Sequence, residues 1–157
     1  NLFNKNLTTN NPKKFKIYKI LQGEIIKLFF KIQFLGLSFS FGLITLLIFF
    51  FPNIVYDFYS FDAESVNEIG RNQIKTDTGG VWLLVTVLPI LFLTTKKDYY
   101  IDIMILFFVI ASVARGISFL TGDGYHPITI GLFFGEIYWI FLLTYFKKRF
   151  PDGSFFS

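Results

Sequence analysis

Two ionisable side chains lie inside apolar stretches, and they are the first candidates for chemistry. Arg115 falls in IDIMILFFVIASVARGISFL and Glu136 in ITIGLFFGEIYWIFLLTYF. A charged side chain at the bilayer centre costs about 2.5 to 3.5 kcal/mol on insertion scales, so it turns toward protein and finds a partner. The two stretches are joined by the short loop TGDGYHP and must run antiparallel. Arg115 stands roughly 7.5 Å of helix rise before Leu120, and Glu136 about 12 Å after Ile128. An arginine side chain can bridge that difference in depth. Three readings are open. The two residues form a pair that locks the helices, or a pair that lines a ligand or proton pathway. In the third, Arg115 snorkels outward toward Asp123, and Glu136 is protonated or meets another chain. Asp123 and His126 are the outer-loop candidates. Asp123-Gly124 is a turn signal, and a lone histidine at a membrane surface is more often solvated than a ligand.

The remaining chemistry is narrowed by what is missing. The chain has no Cys and a single His. That excludes a disulfide scaffold, thiolate metal sites and a cysteine nucleophile. It also argues against a His-built metal site or a His-based triad within one chain. An attached haem, or one held internally by two histidines, is excluded as well. The phosphate-cradling patterns GxxxxGK[ST] and GxGxxG are absent, as are a serine nucleophile elbow and HExxH. The expectation is a protein with no catalytic residues, no metal and no cofactor.

Positioning two charges in hydrocarbon takes membrane-spanning elements, and the composition supplies them. Of 157 residues, 23 are Phe and 21% are aromatic, while only 17% are charged against about 25% in soluble domains. The length fits one domain, and so apolar a chain is not disordered. Crossing about 30 Å of hydrocarbon takes about 20 mainly apolar residues. Four stretches qualify as spans: 32–51, 80–95, 101–120 and 128–146. The first is uncharged and stops at Pro52, where a helix ends. The second is short and holds Pro89, which membrane helices tolerate with a kink. Gly79-Gly80 opens it. The fold class expected is all-α: an integral membrane four-helix bundle with an N-terminal amphipathic cationic helix. Residues 1–31 form a basic tail and interfacial helix, 32–146 the bundle, and 147–157 a basic tail.

Basic residues set the direction. Seven lysines precede the first span, Lys96 and Lys97 separate the second and third, and Lys147, Lys148 and Arg149 follow the fourth. Twelve of the 15 basic residues thus lie on one side, and only Arg71 and Lys75 occupy the opposite loops. Positive-inside places both termini in the cytoplasm, or on the matrix side of an organelle inner membrane. The net charge of +4 is then a topology signal, and nucleic acid is not among the expected partners.

Before the first span, Lys19, Gly23, Lys27 and Lys31 recur every fourth residue, and Ile17, Ile20, Leu21, Ile25, Leu28, Phe29 and Ile32 fill much of the remaining surface. Such a helix either lies on an anionic membrane surface or extends the first span with snorkelling lysines. Small residues at four-residue spacing, Gly131 and Gly135 in the last span and Gly36, Ser38, Ser40 and Gly42 in the first, point to close helix packing within the chain. The long first loop, 52–79, has room for a short interfacial helix. Trp82, Tyr99, Tyr100, Tyr125 and Tyr145 suit membrane interfaces, and Trp139 sits deeper.

The order Asn67-Glu68-x-x-Arg71, Gly79-Gly80, Arg115, Asp123-Gly124-x-x-Pro127 and Glu136 resembles the four-span membrane family known as DUF4345, which is itself distantly similar to DoxX-like membrane proteins. The resemblance covers about half the chain and leaves out the basic N-terminal stretch. It implies four spans and singles out Arg115, Asp123 and Glu136, but implies no substrate.

Two functions lead, ahead of a membrane enzyme that would use Arg115 and Glu136. One is a non-enzymatic accessory or scaffold subunit that packs against the lipid bilayer and other membrane-protein subunits. The other is a small bundle that binds or transports a lipid, quinone or other apolar ligand near Arg115 and Glu136. An apolar cavity between helices favours the second.

Overall fold

A computed structural model of the chain describes residues 12–58, 68–122, 127–151 and 154–156. Every regular element among the described residues is helical. They are α1 (Pro12–Phe50), α2 (Pro52–Phe58), α3 (Glu68–Gln73), a π-helical segment (Ile74–Gly79), α4 (Gly80–Thr95), α5 (Tyr99–Leu120) and α6 (Pro127–Arg149). Four stretches are long and apolar enough to cross a membrane: Ile20–Phe50, Glu68–Thr95, Tyr99–Leu120 and Pro127–Arg149.

The helix ends follow from local chemistry. The 39-residue α1 stops at Pro52, whose ring crowds the preceding residue out of the helical region and which has no N–H to donate. The Phe51 N–H closes the last turn onto the Leu47 carbonyl at 2.8 Å. Pro52 and Pro127 each open a helix, the position where a missing N–H costs nothing. Lys96 caps α4 in the left-handed region, φ 60°, and donates its N–H to the Phe92 carbonyl. After α5 the chain reverses through Gly122 at φ 88°, a conformation glycine adopts without strain. The cationic end of α6, Lys147 to Arg149, complements the partial negative charge of a helix C-terminus.

The basic stretch and the first span belong to one helix, Pro12–Phe50, one of the two arrangements that the sequence left open. The second apolar α-helix, α4, runs Gly80–Thr95, the bounds expected from sequence. Sixteen residues of α4 rise only about 24 Å, and the helical path extends back through the π-helical segment to Glu68. Gly79 sits in ordinary helical geometry, φ −64° and ψ −40°, and a Cβ there would stand 3.1 Å from both Ile48 and Phe49, so the Gly79-Gly80 pair opens α4 at a close-packed point.

The chain divides into two units, Asn1–Gln33 and Phe34–Ser157. In the first, described from residue 12, Glu24 and Lys27 pair at 3.3 Å along the helix. Ile17, Ile20, Leu21, Ile25, Leu28 and Ile32 are all exposed.

In the second unit α5 and α6 pack along each other, and α4 packs against α5. Phenylalanine rings from α1, α4, α6 and the residues after α6 meet in one cluster. Phe34, Phe92 and Phe146 are fully buried and meet edge to face at 5.2 to 5.5 Å between centroids. Phe155 closes over them, 5.0 Å from Phe146 and 5.2 Å from Phe150. Such pairs add about 0.5 to 1.5 kcal/mol each beyond the apolar area they bury. Lys147 forms an ion pair with Asp102 beside this cluster. Toward the other end, α1 and α4 approach closely at Gly42, where a Cβ would stand 3.2 Å from the Thr86 methyl.

Candidate functional site

Arg115 and Glu136 meet between α5 and α6. The Arg115 Nε–H donates to Glu136 Oε1 at 2.7 Å. The Glu136 side chain is 9% exposed and that of Arg115 is 24% exposed. The bond uses one donor of a guanidinium that has five. Among the described residues the Arg115 Nη nitrogens make no hydrogen bond. The other carboxylate oxygen, Glu136 Oε2, is buried without a partner. The pair therefore hides its spare acceptor and leaves its spare donors uncovered.

A partly enclosed cavity of about 400 Å³ adjoins the pair, and both residues line it. That volume falls within the range of small-molecule sites. Each charge is flanked on its own helix by the smallest side chains: Ala111 and Ala114 beside Arg115, Gly131 and Gly135 beside Glu136. A Cβ added at Gly131 or Gly135 would touch nothing within 4 Å. These glycines therefore open space for the cavity, and the close helix packing that their spacing suggested is found instead at Gly42. The opposite wall is aromatic. Phe41 stacks on Trp82 with 4.7 Å between centroids and 18° between planes. Phe108 stacks on Trp139 at 6.1 Å and 13°. Trp82, an interface candidate from sequence, and the deeper Trp139 thus both face the cavity.

None of the described residues that line the cavity carries a hydroxyl, and its walls beside the ion pair are apolar and aromatic. Among the described residues no group of three or more His, Asp or Glu side chains could hold a metal ion. Asp123 and His126, the outer-loop candidates, lie outside the described residues, so only Arg115 and Glu136 of the candidate set are brought together.

The cavity walls were missed from sequence, although a signal existed. Ala111, Ala114 and Arg115 share one face of α5, and Gly131, Gly135 and Glu136 lie together on α6. A charge bordered by minimal side chains on both helices of a hairpin marks space beside the charge. Compared with known proteins, the chain matches no family model, no curated protein and no solved structure at a significant level.

Proposed function

We propose that the chain is a multi-pass membrane protein whose four long helices form a bundle that binds a small apolar ligand in the cavity beside Arg115 and Glu136. One observation carries this reading: a 400 Å³ apolar hollow that contains a single ion pair. A pair serving only to lock two helices has no need of four Ala and Gly neighbours that keep space open beside it. The role is binding, since the sequence has none of the catalytic patterns sought. Both termini lie on the cytoplasmic or matrix side, a placement supported by the twelve basic residues there. The resemblance to the DUF4345 family belongs to this proposal and rests on the order of residues in the sequence alone.

A second reading, an accessory or scaffold subunit, is favoured by the outward faces. Only 11% of the most apolar windows of α5 and α6 is buried, which leaves wide surfaces for lipid or a partner subunit. Purification in mild detergent followed by mass spectrometry separates the two. A small apolar molecule is expected to accompany the wild-type chain and to be lost from Gly131→Leu/Gly135→Leu, whose side chains would fill the cavity. If the wild type carries no such molecule but holds another membrane protein at fixed stoichiometry, the subunit reading replaces the first.

A further inference from the structure

We infer that the cavity selects a neutral, single-chain lipid whose head carries a hydrogen-bond acceptor, an ester or similar carbonyl, for the free edge of Arg115. The inference rests on the cavity-binding reading above and adds the chemistry of the head. Glu136 Oε1 already accepts from Arg115 Nε, and Oε2 is closed off from the cavity by burial. What the pair presents is the Nη edge of the guanidinium, which has no protein partner among the described residues. A ligand head must therefore accept rather than donate.

Charge narrows the choice further. Arg115 and Glu136 sum to zero. A neutral carbonyl leaves the site neutral, whereas a carboxylate would put two negative charges on one guanidinium within apolar walls, at a large desolvation cost. An ammonium head would face the guanidinium directly and be repelled. Size narrows it again. At about 400 Å³ the partly enclosed hollow is on the scale of a small-molecule site, and a single alkyl chain suits it.

Trp82 and Trp139 are the only tryptophans of the chain, and both line the cavity, so intrinsic fluorescence reads occupancy directly. The probes are methyl 12-bromododecanoate, 12-bromododecanoate at pH 8 and 1-bromododecane, titrated into detergent-solubilised full chain. Bromine quenches tryptophan on contact. Saturable quenching by the ester is expected at about tenfold lower concentration than by the alkane, since a hydrogen bond to a charged group is worth at least that factor. Unbrominated methyl dodecanoate should reverse it. Arg115→Lys retains a cation for Glu136 but lacks the fork-shaped edge, and should erase the ester's advantage while the alkane still quenches. Equal quenching by ester and alkane, or stronger quenching by the carboxylate, overturns the inference about the head and leaves the cavity reading standing. If no probe quenches saturably, or if Gly135→Leu quenches as the wild type does, the cavity reading itself falls.

Discussion

Arg115 binds Glu136 through Nε alone, so removing either residue strands the other. Arg115→Met would leave both carboxylate oxygens of a nine-tenths buried side chain without a donor. Glu136→Leu would leave a guanidinium beside apolar walls. Each single substitution is expected to cost about 3 to 5 kcal/mol, the usual effect of breaking a buried pair. The double variant should cost much less than the sum of the singles, because residues in contact are not additive. Thermal unfolding in detergent of the three variants tests this, and additive losses would show that the pair is not energetically coupled. Both residues stood out in the sequence because charges are rare in such apolar runs. Which atoms the pair spends and which it exposes depends on side-chain rotamers that spacing does not encode.

Among the elements, the closest approaches lie where rings or small residues meet. Phe92 touches Phe34 and Phe146 and is fully buried. Phe92→Ala is expected to lose about 3 to 5 kcal/mol, as large-to-small aromatic truncations in cores do. Gly42→Leu should lose about 1 to 3 kcal/mol by overpacking against Thr86, whereas Gly135→Leu enters open space and should lose less. Chemical denaturation in mixed micelles measures all three, and a Gly135→Leu loss equal to that of Gly42→Leu would contradict the open geometry. The helix end at Pro52 was legible because proline acts within one or two residues. The helical run from Glu68 up to Gly79 was not, since glycine accepts helical and non-helical geometry alike. Nor could spacing tell Gly42, which meets a neighbouring helix, from Gly131 and Gly135, which face a hollow. That distinction needs the partner helix.

At the scale of the molecule, the proposed topology makes a prediction of its own. With no native Cys to interfere, single cysteines report sidedness. Asp62→Cys, which lies outside the described residues, should react with an impermeant maleimide added outside. Lys97→Cys, between α4 and α5, should react only after permeabilisation. The reverse pattern would invert the orientation and the positive-inside argument with it. The count of apolar helices was legible from hydropathy. A hollow beside the ion pair was not, because lining residues come from α1, α4, α5 and α6 together.

The interlocked rings and the hollow occupy opposite ends of the same helices, and this gives the molecule a gradient of stiffness. Near Phe92 and Phe146 the helices are pinned by contacts that resist any parting. Near Gly131 and Gly135 a hollow opens beside the Arg115–Glu136 pair, and α5 and α6 meet there through that pair and the edge-to-face contact of Phe119 with Phe133. Motion should therefore concentrate at the hollow end, where α4 and α6, joined at the far side by Phe92 and Phe146, can part across the cavity they both line. An occupant could enter without loosening the ring cluster. Hydrogen exchange in detergent reads such a gradient, since local opening energies follow local packing. Amides at Gly131 to Gly135 are expected to exchange faster than those at Leu143 to Phe146, and Phe92→Ala should reduce the difference by freeing the pinned end. Uniform exchange along α6 in the wild type would mean that the hollow end is as rigid as the other.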